Sequence, residues 1–274
     1  YEDYMKQCDG FTASKFDARA WADLFKRAGA QYVVMTSKHH DGVALFDTKY
    51  SDLNVLKKTP AKRDIVKEYT EAVREAGMKV GIYFSLIDWS DPRYRTVYPE
   101  GEKPEDHLKD VFATPAGGPE DPEKWQEFLE FNNNQLRELM TNYGTVDLLW
   151  FDGDWERSAA QWKAKEFKAY LESLNPNVIV NSRLQGYGDY ETPEQGIPVI
   201  GPKGVWEFCT TINDSWGYRP SDNDYKTSRQ IIRMFCDCLT LGGKMLLDVG
   251  PKEDGTLDER QVKVLEDLGQ FIHD

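Results

Sequence analysis

Carboxylates that directly follow apolar segments are the residues of this sequence best suited to chemistry. Asp152 ends the segment VDLLWFD, where an ionised carboxylate is costly unless hydrogen-bond donors or a cation stabilise it. A structural alternative exists, because Asp-Gly pairs commonly form turns and Gly153 follows directly. Hydrolysis of a glycosidic bond needs two carboxyl groups, and Glu191, Glu194 and Glu207 are candidates for the second. The carboxylates therefore indicate carbohydrate chemistry around Asp152.

Other catalytic classes lack their usual motifs. No G-x-S-x-G segment is present and no cysteine has the context of a nucleophile, which disfavours acyl transfer. The chain has four histidines but no H-E-x-x-H or C-x-x-C pattern, so we expect no metal site. His39 and His40 are adjacent, and on a strand their side chains would point to opposite faces unless the strand has already turned. In one interpretation at least one of the two histidines contacts a ligand. In the other, one of them is a core residue that hydrogen-bonds a buried carbonyl group.

Tryptophan is unusually frequent, with eight residues, and several follow or end apolar segments. Flat apolar rings cover the C–H faces of a sugar, so a cluster at one site would suit carbohydrate binding. Each ring taken singly is more typical of a core. The tryptophans at predicted strand ends are Trp89, Trp150, Trp155, Trp206 and Trp216.

The elements that must position these residues follow one repeated pattern: a short apolar run, a polar loop, then an amphipathic helix. This alternation is typical of an α/β protein. Most runs are continuously apolar, as expected for parallel strands covered on both faces. The predicted strands are residues 31–36, 79–86, 146–151, 177–181, 205–210 and 244–249, and helices are predicted over residues 18–28, 64–76 and 125–140.

Two parallel architectures fit this alternation, a doubly wound sheet and an eight-stranded (β/α)8 barrel. Polar and aromatic residues follow nearly every predicted strand, and a barrel would bring all these strand ends to one mouth. No G-x-G-x-x-G turn follows the first strand, which disfavours the doubly wound sheet. We count about six strand–helix units, two short of a complete barrel. No linker divides the chain, so residues 1–274 are predicted to form a single α/β barrel domain that is incomplete.

Composition excludes several kinds of partner. The 34 Lys and Arg residues against 47 Asp and Glu residues give a net charge of −13, which repels nucleic acid and anionic membranes. No apolar run is long enough to span a membrane, and the chain begins without a signal peptide. The four cysteines form no disulfide framework and leave the compartment undecided.

Longer segments carry a resemblance to a known family. TSKHHDGVALFDTKYSDLNV, LLWFDGDW, GDYETPEQ, WEFCTTINDSWGY and GGKMLLDVGPKEDGTL occur in this order and resemble the catalytic domain of the α-L-fucosidases of glycoside hydrolase family 29. The resemblance covers nearly the whole chain. It implies an exo-acting hydrolase that releases terminal α-L-fucose from fucosylated oligosaccharides or glycoconjugates on a distorted barrel, without a cofactor.

The resemblance also implies roles for individual residues. Asp152 matches the nucleophile of a retaining mechanism and Glu194 the acid/base, with Glu191 and Glu207 as alternatives for the acid/base. Retention implies that the two carboxyl groups lie about 5 to 5.5 Å apart. The residues that match the family's fucose-binding positions are His39, His40, Tyr83, Trp150, Arg183 and Trp216.

The chain departs from the family at both ends. It starts after the first strand with its His-Trp-Gly segment, and it has no C-terminal β-sandwich, so we expect an open barrel of reduced stability. Two alternatives to the fucosidase remain. The chain is either a catalytically impaired fucose-binding barrel or fragment, or a retaining glycosidase that acts on another sugar. The family implies an extracellular, periplasmic or lysosomal location, and the sequence leaves homo-oligomerisation open.

Overall fold

A computed structural model describes residues 1–94 and 121–274 of the chain, and this part is an α/β structure with parallel strands. The strands are β1 (Tyr32–Lys38), β2 (Lys79–Ser85), β3 (Leu148–Asp152), β4 (Ile179–Val180), β5 (Glu207–Thr211) and β6 (Lys244–Asp248). The helices are α1 (Glu2–Met5), α2 (Ala18–Arg27), α3 (Val55–Lys58), α4 (Ile65–Glu75), α5 (Pro122–Asn142), α6 (Ala159–Trp162), α7 (Ala164–Leu174), α8 (Ser228–Thr240) and α9 (Glu259–His273). Each predicted strand and helix is present, with ends displaced by a few residues.

The strands form two parallel sheets, one with the order β1-β2-β3-β4 and one made of β5 and β6. The segment between β4 and β5 connects them through isolated parallel bridges. Tyr190 pairs with Asn181 of the first sheet, whereas Glu191 pairs with Trp206 and Glu194 with Cys209. Residues 190–194, predicted as part of a loop, thus occupy the place of a strand in the wall.

The two sheets and the segment between them form the wall of a barrel that does not close. Within the described residues no strand pairing joins β6 to β1, which confirms the prediction of a distorted, incomplete barrel. Helices connect the two sides of this opening, because α9 packs against α2. Gly269 of α9 permits the close approach, since a Cβ atom there would lie 2.3 Å from the carbonyl oxygen of Arg27.

Side-chain caps explain where the longer helices begin. Asp17 accepts hydrogen bonds from the backbone amides of Arg19 and Ala20 at the start of α2, and Asp121 caps α5 ahead of Pro122. Such caps satisfy amides that the helix itself leaves unpaired. Helix α4 is followed by Gly77, whose φ of 75° suits the left-handed turn that stops a helix.

The core has two layers on either side of the sheet. Outside it, Phe84 and Phe151 pack against Phe128 of α5, and all three are fully buried. Inside the barrel, Trp150 and Cys209 belong to a smaller cluster that supports the mouth. No helix in the described ranges combines the length and apolar character needed to cross a membrane.

Candidate active site

The parallel register brings the polar strand ends of β2 and β3 together. Tyr83 lies opposite Trp150, and Ser85 lies opposite Asp152. Side chains two apart on a strand share a face, so Trp150 and Asp152 both point into the barrel. The mouth of the barrel is therefore built on a buried aromatic layer, with the carboxylate one layer further out.

Asp152 is buried and well supplied with donors. One oxygen, Oδ2, accepts a hydrogen bond from the Tyr83 hydroxyl at 2.7 Å, and the other, Oδ1, binds the Arg183 guanidinium. Burial and the Asp152 charge raise the pKa of Tyr83, so this hydroxyl remains a donor. The side chain of Asn181 holds the strand itself, because it bonds both the amide and the carbonyl of Phe151 at 2.9 Å. Hydrogen-bond donors on both of its oxygens thus fix the orientation of the Asp152 carboxyl group.

Arg183 lies between the carboxylates of Asp152 and Glu194 and binds both. Its two terminal nitrogens bind Asp152 and Glu194 separately, while the guanidinium stacks over the Trp150 ring at 4.5 Å. Burial lowers the pKa of Arg183, but the two neighbouring carboxylates outweigh burial and raise it. One planar cation therefore bridges the carboxyl groups of Asp152 and Glu194.

The three glutamates considered for the acid/base occupy different environments. Glu194 has a partly exposed side chain at the mouth, beside Arg183. Glu191 is exposed, and it lies next to Tyr190, whose side chain belongs to the interior cluster, so alternation directs Glu191 outward. Glu207 is 2% exposed and accepts hydrogen bonds from the Trp150 indole at 2.8 Å and from the Tyr32 hydroxyl. Only Glu194 of these three bonds the cation that holds Asp152.

Both adjacent histidines reach the site. Strand β1 ends at Lys38, so the backbone has turned and the two rings lie 4.3 Å apart. The His39 ring stacks on Tyr83 with centroids 5.3 Å apart, and His40 Nε2 lies 3.5 Å from Asp152 Oδ2. Burial, followed by the His39 charge, lowers the pKa of His40 to about 4. The ring is therefore neutral at physiological pH.

The structure also contains contacts that sequence reasoning missed. The Ser85 hydroxyl lies 2.6 Å from His40 Nδ1, and no sequence pattern identifies it, since only the β2–β3 register places it there. Behind the histidines, Lys38 is fully buried and contacts Asp88 at 3.3 Å. Its sequence signal, a lysine before two histidines, does not reveal that it is buried.

Trp216 lies apart from the other expected residues. It is 39% exposed and belongs to the loop that follows β5. Across residues 1–94 and 121–274, no hydrogen bond or ring contact links Trp216 to the group around Asp152. The expected residues that do meet at the mouth are His39, His40, Tyr83, Trp150, Asp152, Arg183 and Glu194.

Known proteins are similar to this chain over nearly its whole length. A family model described as Alpha-L-fucosidase matches residues 1–274. An alpha-L-fucosidase of Dictyostelium discoideum is 31% identical over 99% of this chain and 57% of its own length, and human plasma alpha-L-fucosidase is 32% identical over 99% of this chain and 56% of its own length. The chain thus spans a little over half of these curated relatives.

Solved structures give the same result. Alpha-L-fucosidase isoenzyme 1 from Paenibacillus thiaminolyticus superposes with a TM-score of 0.87 at 37% identity, covering 99% of this chain and 66% of that one. The Thermotoga maritima alpha-fucosidase, solved in complex with fucose, superposes with a TM-score of 0.79 at 35% identity over 98% of this chain and 59% of that one.

Proposed function

The chain belongs to the α-L-fucosidase family, and from this premise we propose that it is the catalytic part of a retaining exo-α-L-fucosidase. The observation that carries the proposal is the shared guanidinium of Arg183, which binds Asp152 and Glu194 at once. The relatives support the substrate class, because one neighbour was solved with fucose and a Thermotoga maritima fucosynthase with a fucosyl-fucose azide. The proposed substrate is a terminal α-L-fucosyl unit of an oligosaccharide or glycoconjugate.

In the first step Asp152 is the nucleophile. One carboxylate oxygen forms a bond to the anomeric carbon while the bond from that carbon to the leaving oxygen breaks, and Glu194 gives its proton to that oxygen. Tyr83 and Arg183 donate hydrogen bonds to the two Asp152 oxygens and so orient the carboxylate for attack. The products of this step are a free alcohol and a fucosyl ester of Asp152.

In the second step Glu194 acts as a base. It takes a proton from water, the water oxygen bonds to the anomeric carbon, and Asp152 departs as a carboxylate. Two inversions give net retention. In the free site Glu194 pairs with Arg183, so substrate binding must separate this pair before Glu194 can give its proton to the leaving oxygen.

Chemical rescue tests the assignment. We expect the chain to release nitrophenol from 4-nitrophenyl α-L-fucoside, Asp152→Ala to be inactive, and azide to restore turnover with formation of the inverted β-fucosyl azide. Glu194→Ala with azide should instead give the retained α-fucosyl azide, because its nucleophile is intact.

The matched control is Glu191→Ala, which removes an exposed carboxylate from the same wall segment. It should leave the rate unchanged. Loss of rate and azide rescue in Glu191→Ala rather than Glu194→Ala would reassign the acid/base. Fucose binding without turnover by the parent chain would favour a carbohydrate-binding protein.

A further inference from the structure

Three side chains of the kinds that bind transition metals converge at the mouth of the barrel. His39 and His40 follow β1 and Asp152 ends β3, and one ligand atom from each lies within 4.8 Å of the other two. Two ligands of one zinc ion, each bound at about 2.1 Å, can stand at most about 4.2 Å apart. His40 Nε2 and Asp152 Oδ2 already meet this limit at 3.5 Å. A small movement of His39 would complete the set.

The hydrogen bonds of Ser85 fix which nitrogen of His40 is free. The Ser85 hydroxyl donates its only proton to the carbonyl of Ile87 at 2.7 Å. It can therefore only accept from His40 Nδ1 at 2.6 Å, so the proton of the neutral ring is on Nδ1. This network assigns a lone pair to His40 Nε2, on the side that faces Asp152.

A lone pair and a carboxylate oxygen thus face each other without a proton between them. This arrangement repels in the free site and is relieved by a cation or a hydrogen-bond donor. A hydroxyl of a bound sugar could supply the donor during turnover. Between turnovers the same two atoms are available to a metal ion, and the Ile87–Ser85–His40 chain resembles the outer-sphere support that orients metal-binding histidines.

The ligand types select among ions. Two imidazoles and one carboxylate suit zinc and similar divalent transition metals, whereas magnesium and calcium prefer oxygen ligands. Arg183 holds Oδ1 of Asp152, whereas Oδ2 accepts one hydrogen bond from the Tyr83 hydroxyl and has a second lone pair for the ion, on the side of His40. The nearby guanidinium charge opposes a second cation and should limit the affinity.

We propose that His39, His40 and Asp152 form a zinc-binding site, and that the bound ion inhibits the enzyme by occupying the nucleophile. Binding of the ion is independent of the proposed function, whereas inhibition rests on it. With Asp152 coordinated, its carboxylate cannot attack the anomeric carbon, so inhibition should be reversible and competitive with fucoside.

Direct binding of Zn²⁺ to the chelator-treated chain is the primary test. Calorimetry should give one site per chain, with affinity lowered at least 10-fold by His39→Ala and by His40→Ala. Ser85→Ala leaves all three ligands in place and should weaken binding about 10- to 100-fold, as removal of outer-sphere partners does. His273→Ala and Cys236→Ser are the matched controls, because they remove potential ligands on α9 and α8 that do not belong to the three-residue cluster, and both should bind Zn²⁺ like the parent.

Co²⁺ provides a spectroscopic probe that does not depend on activity. The parent should show the visible bands of a tetrahedral nitrogen and oxygen site without thiolate charge transfer. Absence of Zn²⁺ binding, a thiolate spectrum, or equal Zn²⁺ affinity in a folded His40→Ala variant would each overturn the inference. Binding that His40→Ala abolishes, in a chain without fucosidase turnover, would sustain the metal site and refute the proposed function instead.

Discussion

Replacing Asp248 with asparagine should make the protein more resistant to alkaline pH. Leu246, two residues earlier on β6, packs with the cluster inside the barrel, whereas Met245 and Leu247 pack with a cluster of helix α8 and helix α9 residues. Alternation therefore directs Asp248 into the barrel, at the same level as Thr211, its partner on β5. Its Oδ2 atom is buried and has no hydrogen-bond partner among the described residues.

Burial raises the pKa of Asp248 from 3.8 to about 7. The folded state therefore retains a proton that the unfolded state has lost, and stability falls as pH rises between these two values. At about 1.36 kcal/mol per pKa unit, the ionisation penalty is ~2 kcal/mol at pH 5 and ~4 kcal/mol at pH 8. Asparagine carries no such penalty, and any cost of its own amide is independent of pH. The difference between the two proteins should thus change by about 2 to 3 kcal/mol over this range.

Urea denaturation at pH 5, 6.5 and 8 measures this change. We expect the free energy of unfolding of Asp248→Asn, relative to the parent, to rise by about 2 to 3 kcal/mol from pH 5 to pH 8, equivalent to a melting-temperature shift of roughly 5 °C. Asp9→Asn, at an exposed position, is the control and should follow the parent at every pH. Parallel stability curves for Asp248→Asn and the parent would refute the reasoning, because they would show that this carboxyl titrates alike in both states.

Three further substitutions test other parts of the structure. Lys38→Met leaves the buried Asp88 carboxylate without its cation and should lower the free energy of unfolding, measured in urea, by about 3 to 5 kcal/mol. The double variant Lys38→Met/Asp88→Asn removes the unpaired charge as well and should recover most of this loss. In Glu207→Gln the amide NH2 replaces an oxygen that accepts a hydrogen bond from Tyr32 or Trp150, so one of these two bonds is lost. We expect the free energy of unfolding to fall by about 1 to 3 kcal/mol and the KM for fucoside to rise, with kcat less affected. Gly243→Ala would put a Cβ atom 2.5 Å from the Trp206 ring and should destabilise by about 1 to 3 kcal/mol in thermal melts, whereas Gly217→Ala, with no atom within 4 Å, should not.

The sequence predicted the elements well because their signals are local. Apolar runs identify β2 and β3, and the polar residues after them identify the mouth, since all parallel strands point their carboxyl ends the same way. The segment 190–194 was harder, because its composition is that of a loop and only its bridges to Trp206 and Cys209 show that it is part of the wall.

The site was predictable in its residues but not in its connections. The adjacency of His39 and His40 left open whether both could face a ligand, and the answer depends on where β1 ends. The metal-type ligands escaped motif reasoning because Asp152 comes from a distant strand. Ser85 determines the tautomer of His40, and a serine within an apolar run carries no sign of that role.

The way Glu194 is anchored bears on how substrate preference can diverge. Its main chain pairs with Cys209, and its side chain shares one rigid guanidinium with Asp152. In the free site the placement of the two carboxyl groups therefore depends on a planar group and a backbone bridge, and not on the length of the segment that follows. That segment contains Val199 and Ile200, which are 96% and 84% exposed. Under the proposed function, changes in length or polarity over residues 197–205 leave the backbone bridge of Glu194 in place, so recognition of the leaving group and bond cleavage can evolve separately.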